Sequence, residues 1–367
     1  MAKQPFLPPL LPPKIDISSL VSLLTGARDA VARYDEVVKR IQNPALIRRT
    51  FETKEAVLSS KIEGTQATFE EVLGLDAEPT EEEQSEKQRD YREIANYRAA
   101  IDHGKTLLSK RPIDENLIKE LHKLLLNSAR GKNKTPGEFR RHQVHIGPAG
   151  ATIDEARYVP PIHTEIPSLM SNLSQYMHAD DQPDRLIQAA IMHYQFEAIH
   201  PFADGNGRVG RLLIPLYLYE KDITAYPNLY VSEFMETHRR DYYEKLNNVS
   251  ENNAWLEWIR FFLRAIREQV KVSKARVEKV ERLHKDLHDQ LPQFNSIYAS
   301  SFLEALFVQP VFTPQSISRE AKIQNSQTNY NLVAKFVEAG LVTDLAPKRE
   351  RNKLYMFEPL LSILESE

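Results

Sequence analysis

Residues 200–211 read His200-Pro201-Phe202-Ala203-Asp204-Gly205-Asn206-Gly207-Arg208-Val209-Gly210-Arg211, between two apolar helical patterns. This run restricts the fold more than any other part of the chain, because two helices must meet at a turn that few residues allow. Gly205 and Gly207 bracket Asn206, so the backbone can take positive φ and aim its amides at one point. Arg208 to Tyr219 reads as a helix that starts at the turn. Its first-turn amides lack intrahelical partners and its dipole is positive there, which suits a phosphate. Arg208 and Arg211 are three apart, on one face, and their planar forks match phosphate oxygens. Asp204 suits a Mg²⁺ held jointly with nucleotide phosphates. His200, at the end of the apolar segment Ile187–Ile199, is placed to accept a proton near neutral pH. Each feature alone has an ordinary reading: a packing histidine, a turn, a solvated charged face. Their joint spacing points to a nucleotide-handling site.

The run resembles the Fic family, whose core motif is HxFx(D/E)GNGRxxR, with His200, Phe202, Asp204, Gly205, Asn206, Gly207, Arg208 and Arg211 at every specified position. The resemblance implies transfer of AMP from ATP to a Ser, Thr or Tyr hydroxyl of a target protein, with pyrophosphate leaving. It makes His200 the base and Asp204 the Mg²⁺ ligand, the turn from Gly205 to Gly207 the anion hole, and Arg208 and Arg211 the grip on the β- and γ-phosphates. Phe202 and Asn206 are counted with these ATP-binding residues. Doc-type relatives that phosphorylate their targets carry a lysine where this chain has Gly207.

Ser59-Ser60-Lys61-Ile62-Glu63-Gly64 resembles the family's inhibitory pattern [S/T]xxxE[G/N]. Read from the residues, Ile47, Phe51, Leu58 and Ile62 form the apolar stripe of a helix. Gly64 suits its C-cap, and Thr68–Glu71 is a capping box opening the next helix. Glu63 then stands in a last helical turn, where a negative charge is unfavourable without a compensating cation. The resemblance makes that cation Arg211, with Ser59, Glu63 and Gly64 an inhibitory element that keeps the γ-phosphate out. It also allows a reverse, AMP-removing activity in which Glu63 orients water.

The remaining pattern predicts a mainly α protein: a Fic-type helical core with a β-hairpin flap, and a small C-terminal winged-helix-like domain. The expected divisions are 1–110, a helical region with the inhibitory helix; 111–250, the catalytic core; 251–295, a connecting long helix; and 296–367, the winged-helix-like part. Pro5 to Pro13 reads as an extended arm packed across the body. Helices are expected over 18–42, 45–62, 87–109 and 114–128, with Glu78–Glu86 a solvated acidic connector. Val144–Ile146 and Arg157–Val159 are β-prone around Gly147, Pro148 and Gly150, a short hairpin. In the family a flap there docks the target by strand addition, so the 144–159 hairpin is the expected docking site. Glu233–Asn247 is expected as one helix. Its Tyr243 lines the adenine pocket by resemblance, with Leu246 beside it; core packing is the alternative for both tyrosines.

Trp255 begins a long helix reaching toward Leu291. Its later apolar positions, Val277, Val280, Leu283, Leu287 and Leu291, are suited to an accessory domain or to a second copy in a homodimer. Helices over 301–308, 313–321 and 326–339 precede two short strands, 341–345 and 353–357, around the basic Lys348-Arg349-Glu350-Arg351. DNA is a possible partner but not the favoured one, since the recognition helix is nearly neutral, Lys335 being offset by Glu338. A DNA-binding regulator with the core as nucleotide sensor is the rival reading. Net charge of −3 carries no global basic signature. With no cysteine and no apolar run long enough for a bilayer, no membrane partner is expected, and a cytoplasmic protein is.

Overall fold

The computed structural model describes residues 4–41, 43–78, 85–127, 134–148, 150–348 and 353–366. Helices dominate it. The N-terminal set is α1 (Val21–Arg40), α2 (Ala45–Ile62), α3 (Phe69–Ala77), α4 (Glu86–Leu108) and α5 (Glu115–Leu125). Capping explains their starts: Thr68 and Ser85 form capping boxes with Glu71 and Gln88, and Asp114 accepts from the Leu117 amide. α5 ends at Leu125, short of the expected 128, and the middle of the acidic connector, 79–84, lies outside the described residues.

α6 (Ile166–His178), α7 (Arg185–Ile199) and α8 (Asn206–Glu220) follow. α7 and α8 are buried nearly all round, as expected of helices at the centre of a larger bundle. The segment expected as one helix over 233–247 is two, α9 (Ser232–Thr237) and α10 (Arg239–Asn252), broken at His238, whose φ/ψ of −108°/34° is not helical. α11 (Trp255–Gln290) runs unbroken for 36 residues and packs on α1, α7, α10 and the C-terminal helix. Its buried Val277, Val280 and Leu287 face elements of the same chain, which answers the apolar stripe without a second copy.

The C-terminal part holds α12 (Ala299–Val308), α13 (Pro314–Glu320), α14 (Ser326–Glu338) and α15 (Glu358–Glu365) around a small antiparallel sheet. Its strands are β1 (Val311–Phe312), β2 (Thr343–Asp344) and β3 (Tyr355–Met356) in the order β1-β3-β2, with Phe312 and Asp344 both opposite Tyr355. β1 and α15 carry no pattern strong enough to read from the sequence: β1 is two residues long. Arg349–Arg351 of the basic tip lie outside the described residues, and Lys335 of α14 donates to the Phe294 carbonyl. This part is not detached. One hydrophobic core runs from Leu11 to Leu364, α12 packs on α2, and β1 packs on α3.

Among the described residues, the hairpin expected over 144–159 is a single antiparallel bridge, Ile146 with Tyr158. Gly147, Pro148 and Gly150 between them favour turns over a ladder. The N-terminal arm lies across its far side. Phe6 donates its amide to the Val159 carbonyl, and Gln195 and Asn172 bond to Pro9 and Leu11.

Candidate active site

α7 ends at His200 in the left-handed conformation (φ 50°, ψ 59°), and α8 begins after Gly205 in the same region (φ 75°). A non-glycine residue held there costs energy and persists only where its surroundings hold it. The holder is Arg140, 2% exposed. Its guanidinium donates to the carbonyls of His200 (2.9 Å), His142 (3.1 Å) and Pro161 (2.6 Å), while its amide donates to Pro201 (2.9 Å). One buried arginine thus ties the histidine turn to both sides of the flap. Reading the sequence does not single it out among the chain's many arginines, because its partners are backbone carbonyls far along the chain.

The 202–206 loop is braced from within. Asn206 Oδ1 accepts from the Phe202 amide and its Nδ2 donates to the Phe202 carbonyl (2.8 and 2.9 Å). Its side chain is therefore spent on the loop, and only its amide remains for an anion. Phe202, expected among the ATP-binding residues, is fully buried and stacked on His122 with centroids 3.7 Å apart, so its ring supports the loop from below. His122 accepts the Gly137 amide at Nδ1, which leaves its Nε2–H to donate to the Asp204 carbonyl at 3.0 Å. Burial lowers its pKa to about 4, so it stays neutral in that role.

Burial likewise lowers His200 to about 4, with Arg140 adding to the effect and Glu63, the Glu197 carbonyl and Asp204 opposing it. The imidazole is therefore unprotonated at neutral pH, the form able to take a proton. Asp204 is 47% exposed; its Oδ1 accepts from the Gly205 amide (2.6 Å) and stands 3.8 Å from Arg208. Among the described residues no three His, Cys, Asp or Glu side chains cluster as metal ligands. One accessible carboxylate at a helix start fits a Mg²⁺ that takes its other ligands from phosphates and water, not an all-protein cage.

Both motif arginines are already paired. Arg208 is 5% exposed and bonds Glu93 of α4 at 2.7 Å. Arg211, 1% exposed, donates Nε to the Ser59 hydroxyl (2.9 Å), and Nη2 to the Ser59 carbonyl (2.9 Å) and to Glu63 (2.6 Å). The Glu63 carboxylate lies against the first turn of α8, where a methyl group added at Gly207 would run into Glu63 Oε1. The Glu63 side chain remains 36% open to solvent. Burial pushes its carboxyl up, but Arg211, Arg208 and His200 outweigh that and leave it below the usual range. Gly64 takes φ 104° just after α2, as a C-cap glycine does.

The two tyrosines differ in burial. Tyr242 is 1% exposed and bonds His193 in the core. Tyr243 is half-buried, its hydroxyl 3.5 Å from the Ile62 carbonyl at the end of α2, where Arg239 also donates. Two acids went unread in the sequence. Glu93 stands 115 positions before Arg208. Glu197, one turn before His200, is packed against Gly210 with Oε1 unpartnered, and burial raises its pKa to about 8.

A family model described as Fic/DOC family matches residues 112–218, and one described as Fic/DOC family N-terminal matches 21–106. A relative from Culex quinquefasciatus named protein adenylyltransferase Fic is 28% identical over 65% of this chain and 43% of its own length. One of the same name from Aedes aegypti is 33% identical over 35% of this chain and 22% of its own. The chain thus spans less than half the length of these curated relatives. A Fic family protein of known structure from Desulfovibrio desulfuricans aligns with a TM-score of 0.61 at 22% identity, over 95% of this chain and 98% of that one. Fic-1 from C. elegans aligns at 0.53 and 23% identity, over 73% and 75%. At these identities the structural likeness concerns the fold.

Proposed function

We propose that this chain, which belongs to the Fic/DOC family, is an adenylyltransferase that moves AMP from ATP to a hydroxyl of a protein and is held in check by Glu63. The observation that carries the reading is that an anion already occupies the start of α8: the Glu63 carboxylate, on Arg211 and over Gly207. It stands in for phosphate oxygens, for which helix amides and buried guanidinium groups are suited. With Glu63 withdrawn, Arg211 is free for the distal phosphates and Arg208 lies beside them. Neutral His200 takes the proton of the incoming hydroxyl. The hydroxyl oxygen forms a bond to the α-phosphorus as the bond to the bridging oxygen breaks, and pyrophosphate leaves with the electron pair. Asp204 is the residue to hold a Mg²⁺, which when bound offsets phosphate charge.

The Phe6 amide already takes the Val159 carbonyl, so a target strand is left the outer edge of Val144–Ile146. Label following the α- but not the γ-phosphate of ATP into protein, lost in His200→Ala, supports the reading. Label from the γ-position, or transfer that survives His200→Ala, refutes it. Salt-sensitive binding to duplex DNA without transfer would favour a regulator. Transfer that Glu63→Gly accelerates, together with AMP removal that the same change abolishes, would mark Glu63 as serving both directions.

A further inference from the structure

A cavity of about 310 Å³ opens where α1, α2, α4 and the segment before α9 meet. Four rings wall it, those of Tyr34, Phe51, Tyr226 and Tyr230, and Glu52 lines it as well. Glu52 is 8% exposed and makes no hydrogen bond or ion pair among the described residues. Its neighbour Glu55, one turn on and 3% exposed, is held by Ser232 and Tyr97, so the contrast is not a property of the helix. The carboxyl oxygens of Glu52 open into the cavity with no protein donor among the described residues, and burial, with Asp102, raises its pKa to about 7 against Arg48 and Lys105. The protein also shows that these walls accept a cation: the Lys105 ammonium stands 5.1 Å from the centre of the Tyr226 ring.

We propose that this cavity binds a small aromatic amine, its ammonium between Glu52 and the Tyr226 face and its ring among the tyrosines, and that the bound amine strengthens the hold of Glu63 on Arg211. The second clause rests on the autoinhibited reading above. The cavity lies beside elements that carry partners of the motif arginines. α2 carries Glu52 and, 11 residues or about 16 Å further along at 1.5 Å per residue, Glu63. α4 carries Lys105 at the cavity and Glu93 on Arg208. The segment with Tyr226 and Tyr230 leads into α9 and α10, whose Arg239 and Tyr243 meet the Ile62 carbonyl. Because the cavity exists in the latched arrangement, a ligand that fits it favours that arrangement and lowers transfer.

Calorimetric titration of the full chain without ATP tests binding, with phenethylamine as probe and 2-phenylethanol as its uncharged counterpart. The amine should bind at least about tenfold more tightly than the alcohol. Glu52→Gln should erase that difference, and Lys105→Gln, which removes the resident ammonium, should tighten the amine. Equal affinities for amine and alcohol, an unchanged preference in Glu52→Gln, or no heat up to about 10 mM amine would overturn the site. For the coupling, phenethylamine should lower AMP transfer by the wild-type chain and leave the Glu63→Ala chain unaffected. An equal effect on both, or none on either, overturns the coupling. Absence of any transfer tells instead against the adenylyltransferase reading, while the titration still decides the site.

Discussion

Replacing Glu63 by glycine should release the enzyme, and the structure bounds by how much. The bond to be removed is 2.6 Å long, between a carboxylate and a guanidinium that is 1% exposed. A charge-assisted hydrogen bond contributes about 1.5–3 kcal/mol net. Glu63 keeps 36% of its side chain in solvent, which screens the pair and favours the lower end of that range. At about 1.4 kcal/mol per factor of ten, transfer should rise about tenfold, with a ceiling near a hundredfold if carboxylate and γ-phosphate also repel. Arg211 would not be stranded, since both bonds to Ser59 remain. Position 63 is a cap with φ −87°, so glycine breaks no helix interior, and Glu63→Ala serves as a control for backbone freedom. Glu63→Gln, which keeps an acceptor but no charge, should fall between. The assay is initial-rate transfer from α-labelled ATP, beside calorimetric ATP affinity and a melting curve. An unchanged or lower rate in a cooperatively folding Glu63→Gly chain would refute the latch.

Three further outcomes follow from the same geometry. Arg140→Ala leaves several buried carbonyls without a donor at about 1–3 kcal/mol each, so it should lower the melting temperature and cut kcat more than tenfold; Arg140→Lys, with no planar fork, should not restore either. His122 and His193 are fully buried, and burial lowers their pKa to about 4 and about 3. Between pH 6.5 and those values the unfolded chain binds protons that the folded one does not, so stability should fall as pH drops through that window, by at most about 3 kcal/mol for His122 and about 5 kcal/mol for His193. His200 behaves likewise, and the acid limb of kcat/KM should lie near pH 4, with a limb at 6.5 contradicting the buried neutral base. Glu197 shifts the other way, upward to about 8, so the folded chain holds a proton that the unfolded one loses and stability declines as pH rises from 4.5 to 8. Glu197→Gln should remove that decline, giving a higher melting temperature than wild type at pH 8 and none of the gain near pH 4.

The helices on either side of the motif, the glycine turn, the cap at Gly64 and the capping box at Thr68 were legible because each is written in neighbouring residues. Periodicity, capping oxygens and the torsional freedom of glycine act over one or two turns. Hence His200, Asp204 and the two arginines could be named as one site before any fold was known. What lay beyond reach were pairings between distant segments. Arg208 with Glu93, Arg140 with the backbone of three loops, and the unclaimed Glu52 among aromatic rings all depend on how α2, α4 and the flap pack on the core. Local pattern misled where it was weakest: a two-residue strand, a helix that breaks at His238, and a hairpin with one bridge among the described residues. Short-range backbone chemistry therefore wrote the cradle into the chain, whereas its occupancy by Glu63 exists only once α2 is packed across the start of α8, because a carboxylate takes its partner from space and not from sequence.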